Sequence, residues 1–108
     1  MSFFIVKDIY EKRVAEGVRI RVIAGQKMTM GFFYLEPGAI VPEHSHPHEQ
    51  MGTVLKGSVL LKLGGEERIV EEGEGYHILP NETHSARGGE GPAKIIEVFS
   101  PPREDLQG

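Results

Sequence analysis

Apolar residues in this chain come in short runs that alternate with polar ones, and no long window keeps a helical period. Residues 19–23, Arg-Ile-Arg-Val-Ile, alternate polar and apolar residues before Gly25 and predict a strand. Residues 27–35 predict another, with Met28, Met30 and Phe32 on one face and Thr29, Phe33 and Leu35 on the other. Both of its faces are apolar enough for partial burial, and the methionines read as adaptable core filler. A short first strand is expected at residues 3–6 and a turn of helix within residues 8–16. Residues 51–55 and 58–63, joined by Lys56-Gly57, continue through the tight Gly64-Gly65 turn into residues 66–70, a predicted meander of antiparallel strands. The acidic, glycine-rich residues 71–75 read as a solvated loop. Strands at 76–79, 83–87 and 93–99 follow, and residues 100–105 are expected to form an extended tail.

Fourteen glycines and seven prolines punctuate these runs. The expected class is therefore all-β, two packed antiparallel sheets closing into a jelly-roll barrel whose interior can hold one small ligand. A length of 108 residues suits one domain, residues 1–108. Cysteine is absent, which excludes disulfides, thiolate metal sites and a cysteine nucleophile. The formal net charge is −4, and Arg13, Arg19 and Arg21 form no basic stripe with interleaved aromatics, so nucleic acid is not an expected partner. No apolar run approaches bilayer length, and the first residues lack the pattern of a signal peptide. A cytoplasmic location without membrane contact is expected. A homodimer is expected as well, because so small a sandwich exposes apolar strand faces; Phe3, Phe4 and Ile5 are candidate interface residues.

The chemistry concentrates between Gly38 and Gly57, where His44, His46 and His48 fall within five residues. Imidazole is the commonest transition-metal ligand, and His44, His46 and Gln50 share one parity, so on an extended strand they project from one face. Pro42 marks residues 40–46 as an edge or bulged strand, and Pro47 breaks it, so that His48 turns away while Gln50 returns. His84, after the strand-like residues 76–79, is the candidate fourth ligand. Three imidazoles and an amide oxygen suit one divalent transition metal, Zn, Ni, Mn or Fe, better than Ca or Mg. A neutral Gln50 leaves the ion its full charge for an anionic substrate. His48 is read as a rim residue and His77 as structural or exposed.

Gly38, five residues, His44-x-His46, three residues, Gln50, six residues and Gly57 resemble the first motif of the cupins, normally written with Glu at the place of Gln50. Gly73, five residues, Leu79-Pro80-Asn81 and His84 resemble the second, with Leu79, Asn81 and Gly88 departing from its usual proline, glycine and asparagine. More narrowly, Glu16-Gly17-Val18, residues 44–50 and the ending Glu97-Val-Phe99-Ser-Pro-Pro-Arg103-Glu-Asp are similar to the KdgF-type cupins of pectin and alginate breakdown. Those proteins convert 4,5-unsaturated monouronates into linear keto-acids. The resemblance implies a metal held by His44, His46, Gln50 and His84, and a small anionic sugar met by Glu97, Phe99 and Arg103. The family acid is usually Asp, so Glu97 is one methylene longer. On residues 93–99, Glu97 shares a face with Ile95 and Phe99; the opposite face is also apolar, and it is the resemblance that points Glu97 inward. Two other readings of the same ligands are an iron dioxygenase and a non-catalytic sugar-binding sensor.

Overall fold

The computed structural model describes residues 2–106. Its strands are β1 (Lys12–Ala15), β2 (Val18–Ala24), β3 (Thr29–Leu35), β4 (Ile40–His44), β5 (Glu49–Lys56), β6 (Ser58–Leu63), β7 (Glu66–Glu71), β8 (Gly75–Ile78), β9 (His84–Gly88) and β10 (Ala93–Ser100). A six-stranded sheet runs β1-β2-β3-β10-β5-β8, and a four-stranded sheet β4-β9-β6-β7 packs across from it. Every neighbouring pair is antiparallel. The alternation in β2 has a direct physical outlet. Val18 and Ile20 are buried between the sheets, while Arg19 lies over the Tyr34 ring at 4.3 Å and Arg21 pairs with Glu11 at 2.9 Å.

Along the barrel the interior changes character from one end to the other. Ala93 and Ile95 of β10, Val54 of β5, and Val59 and Leu61 of β6 belong to the apolar core, with Val18, Leu35 and Val70. Burying each large aliphatic side chain contributes about 1.5–3 kcal/mol. Two residues further along the same inward faces come Glu97 on β10 and, four from Val54, Gln50 on β5, both buried. Polar burial of that kind costs free energy unless it is compensated by partners. The core holds the barrel closed so that its other end can carry a polar site.

The chain passes from β5 in one sheet to β6 in the other at Gly57, whose φ is +78°. A side chain there would meet the Pro92 carbonyl oxygen at 2.4 Å, so both backbone angle and space demand glycine. This crossover also corrects the expected meander: of β5, β6 and β7 only the last two form a hairpin, and β5 pairs with β8 and β10 instead.

Other expectations are corrected by non-local pairing. Residues 3–5 are not a strand, and Val6–Asp8 is a 3-10 turn, because nothing in the described chain pairs with them. Phe3, Phe4 and Ile5 are exposed. The expected helical turn at 8–16 gives way to β1, which β2 recruits as an edge strand. The methionines are not core filler: Met28 is exposed and Met30 half-buried on the outer face of β3. The tail is not extended, since Glu104–Leu106 forms a 3-10 turn and Leu106 lines the barrel cavity.

Candidate metal centre and active site

His44 on the edge strand β4 faces His84 on β9. The register between them contains a bulge at Pro42-Glu43, so that Val41 and His44, of opposite parity, both turn inward. His46 follows in the loop between β4 and β5, and Gln50 lies in the opposite sheet. The shared parity of His44, His46 and Gln50 is therefore not that of one strand. The chain crosses from sheet to sheet between them, with Pro47 at the break.

One ring nitrogen from each of His44, His46 and His84 lies within 4.8 Å of the others. His44 Nδ1 is 2.7 Å from the Pro42 carbonyl and His84 Nδ1 is 2.8 Å from the Glu82 carbonyl. A carbonyl only accepts, so both Nδ1 atoms carry the proton and each Nε2 presents a bare lone pair. Among the described residues, His84 Nε2 and His46 Nδ1 are buried with no hydrogen-bond partner. Converging, unpartnered imidazole lone pairs fit a divalent transition metal.

The Gln50 side-chain oxygen is 3.1 Å from His46 Nε2, while its amide nitrogen donates to Glu97 Oε2. Glu97 thus orients the amide so that its oxygen faces the histidines. A carboxylate at position 50 would instead be pressed against that of Glu97. Tyr76 on β8 also donates its hydroxyl to Glu97 Oε2. Phe99, two residues on, is buried with its ring 6.0 Å from that of His46. Arg103 stacks over Phe99 at 4.9 Å, its backbone N–H held by Thr29 Oγ1 at 2.9 Å. Its guanidinium donates to Asp105 through Nε at 3.2 Å and Nη2 at 2.6 Å, which occupies one edge of the fork. His44, Gln50, His84, Glu97, Phe99 and Arg103 line one cavity of about 220 Å³.

A cupin domain family model matches residues 31–99, the span from β3 to the end of the site-bearing β10. The chain belongs to the cupin family. This cupin is 30% identical over 106 residues to the pectin degradation protein KdgF of Dickeya dadantii (strain 3937), covering 96% of both chains. Its fold superposes on KdgF from Halomonas sp. with a TM-score of 0.92 at 27% identity, covering 98% of each. An RmlC-like cupin from Shewanella frigidimarina shares the fold, with a TM-score of 0.91 at 20% identity over 98% of this chain and 96% of that one.

The electrostatics of the cupin cavity follow from burial and from Arg103. Burial, then the positive charge of Arg103 and of the other histidines, lowers the pKa of His46 from its ordinary 6.5 to about 4. Burial lowers His84 in the same direction, partly opposed by its bond to Glu82. Both rings are therefore held neutral, the form in which an imidazole can ligate a metal. In metal-free protein the unfolded chain takes up a proton at His46 near pH 6.5 and the folded chain only near 4, so stability is full above 6.5 and falls as the pH drops between these values. The melting temperature of metal-free protein is expected to decline from pH 7 to pH 5, before ordinary carboxylates titrate. A flat profile over that interval contradicts the neutral cluster.

Burial raises Glu97, against the hydrogen bonds from Tyr76 and Gln50 and the charge of Arg103. Asp105 is lowered, chiefly by its bond to Arg103. His48 lies beside the cluster, its ring 5.3 Å from that of His46, and outside the three-histidine group. His77 points outward and meets Glu49 at 2.5 Å. Tyr76 is not among the site residues expected from the sequence. Its signal was parity with the inward Ile78 at the head of the second motif. Among the described residues no helix is long and apolar enough to cross a membrane.

Proposed function

We propose that this cupin is a metal-dependent enzyme that opens 4,5-unsaturated monouronates to linear keto-acids in pectin or alginate breakdown. The observation that carries the reading is a buried carboxyl group, Glu97, tied through Gln50 to the histidine cluster, with an arginine stacked at the same cavity. Likeness to a protein named for pectin degradation supports the substrate class. His44, His46, Gln50 and His84 hold one Zn, Ni, Mn or Fe ion, which when bound supplies Lewis acidity to a sugar oxygen.

The reaction is an isomerisation, so protons and electrons balance within the substrate. A proton leaves the anomeric hydroxyl, the ring carbon–oxygen bond breaks, the freed oxygen becomes an enol and then a ketone, and a proton is delivered to the former alkene carbon. Glu97 carries the proton between these positions. Arg103, with one edge of its fork held by Asp105, presents the other to the uronate carboxylate, and Phe99 supports the guanidinium plane. The apolar wall formed by Phe33, Ile95 and Phe99 limits water around the reacting bond.

Metal-loaded protein incubated with unsaturated galacturonate should remove the ring alkene absorbance catalytically, with a keto-acid as product. Bound sugar without turnover would instead identify a binding barrel, and metal-dependent oxygen uptake a dioxygenase; either result rejects the proposal.

A further inference from the structure

Glu97 occupies an unusual place in the sheet. Its cross-strand neighbours are Gly31 on β3 and Gly52 on β5, and Gly52 in turn faces Tyr76 on β8. The inward row across these four strands therefore reads Gly31, Glu97, Gly52, Tyr76. Both glycines have their vacant side-chain positions filled by an aromatic ring. A Cβ on Gly52 would meet the Tyr76 hydroxyl and Cζ at 2.6 Å, and one on Gly31 would meet Phe33 Cε1 at 2.6 Å. Tyr76 reaches across the space over Gly52 to donate to Glu97 Oε2, the oxygen that also accepts from Gln50. Among the described residues, no side chain donates to Oε1. Phenol and amide thus converge on one carboxyl oxygen and leave the other to the cavity that Glu97 lines.

We propose that Tyr76, seated over Gly52, is a positioning residue that pins Oε2 of Glu97 and so dedicates Oε1 to exchanging the proton with substrate. The proposal deepens the reading given above and rests on the proton-transfer role of Glu97. Its logic is geometric. An oxygen that accepts two hydrogen bonds is the carbonyl oxygen of the acid form as well as a fully solvated oxygen of the carboxylate form. The proton then comes and goes at Oε1 with no rearrangement of the side chain. Two donors from two different strands, β5 and β8, also fix the carboxyl plane, which a single contact would leave free to rotate. Gly52 is the enabling residue, since any side chain there displaces the phenol. Burial, then the neighbouring Glu97, raises Tyr76 well above its ordinary pKa, in keeping with a phenol that stays protonated as a donor.

Three variants and a double variant test this. Tyr76→Phe keeps the ring over Gly52 and removes only the donor; kcat on unsaturated galacturonate is expected to fall by about tenfold to a hundredfold, with metal content and KM little changed. Gly52→Ala pushes the ring away and should lower kcat alike. In a Glu97→Gln background, Tyr76→Phe should cause no further loss, since it acts through Glu97. Normal kcat in Tyr76→Phe, or losses that multiply in the double variant, overturns the proposal. A second readout does not depend on turnover. In alkaline absorbance titrations, Tyr76 should ionise well above the ordinary phenol range and move down in Glu97→Gln. A Tyr76 titration indifferent to Glu97→Gln overturns the contact itself. An inactive wild-type protein with the expected titration rejects the substrate assignment and leaves the pinned carboxyl standing.

Discussion

Replacing Glu97 by Gln is expected to lower kcat by about a hundredfold or more, the scale of general acid–base catalysis, while fold and metal content persist. The structure makes this substitution unusually clean. Both donors to Glu97, the Tyr76 hydroxyl and the Gln50 amide, land on Oε2, and the carbonyl oxygen of a glutamine accepts the same two bonds. What changes is the other atom, an amide nitrogen in place of an exchangeable carboxyl oxygen. Burial already disfavours the charge on Glu97, so a neutral amide relieves a cost, and the melting temperature is expected to hold or rise. The measurement is kcat, metal stoichiometry and melting temperature on one preparation. Near-normal kcat in folded, metal-loaded protein removes the carboxyl from the proton path and moves that duty to another group.

The second large effect is on the metal. His84→Ala removes a proposed ligand that two features prepare: its Nδ1 proton is committed to the Glu82 carbonyl, and its buried Nε2 has no partner among the described residues. Loss of partners that merely orient a ligand costs roughly 10–100-fold in metal affinity, so loss of the ligand itself should cost at least a hundredfold. The consequence reaches stability. An ion present at a hundred times its dissociation constant stabilises the fold by about 2.7 kcal/mol, because the unfolded chain does not preassemble the site. Wild-type protein should therefore melt several degrees lower after chelation, whereas the His84→Ala protein should melt alike with and without chelator. An unchanged metal stoichiometry and an unchanged chelation shift in this variant place the ion elsewhere.

The same comparison explains why position 50 carries an amide. Glu97 and the histidines make opposite demands on this side chain, a donor on one side and an oxygen on the other, and only glutamine meets both at this reach. A second carboxylate would leave two like charges in contact inside the barrel, where desolvation already works against the first. The neutral Gln50 and the buried acid are therefore one arrangement.

The sequence by itself determined what depends on nearby residues. Alternation at Val18–Ala24 reports a strand with one buried face, and two groups of candidate ligand residues, His44, His46 and Gln50 first and His84 later, are legible from residue type and spacing, three of which the structure gathers as His44, His46 and His84. Pro42 announces the bulged edge because a proline has no N–H to give a ladder. Tertiary structure decided everything that depends on which strand lies beside which. Outward Met30, Phe32, Ile96 and Val98 are as apolar as the inward residues between them, so parity defines two faces of β3 and β10 without saying which meets the core. β1 exists because β2 offers it an edge, and the tail returns to the cavity because Thr29 holds the Arg103 backbone. The row of Gly31, Glu97, Gly52 and Tyr76 joins residues up to 66 positions apart through strand register alone, and register is a property of the assembled sheet that no local pattern encodes.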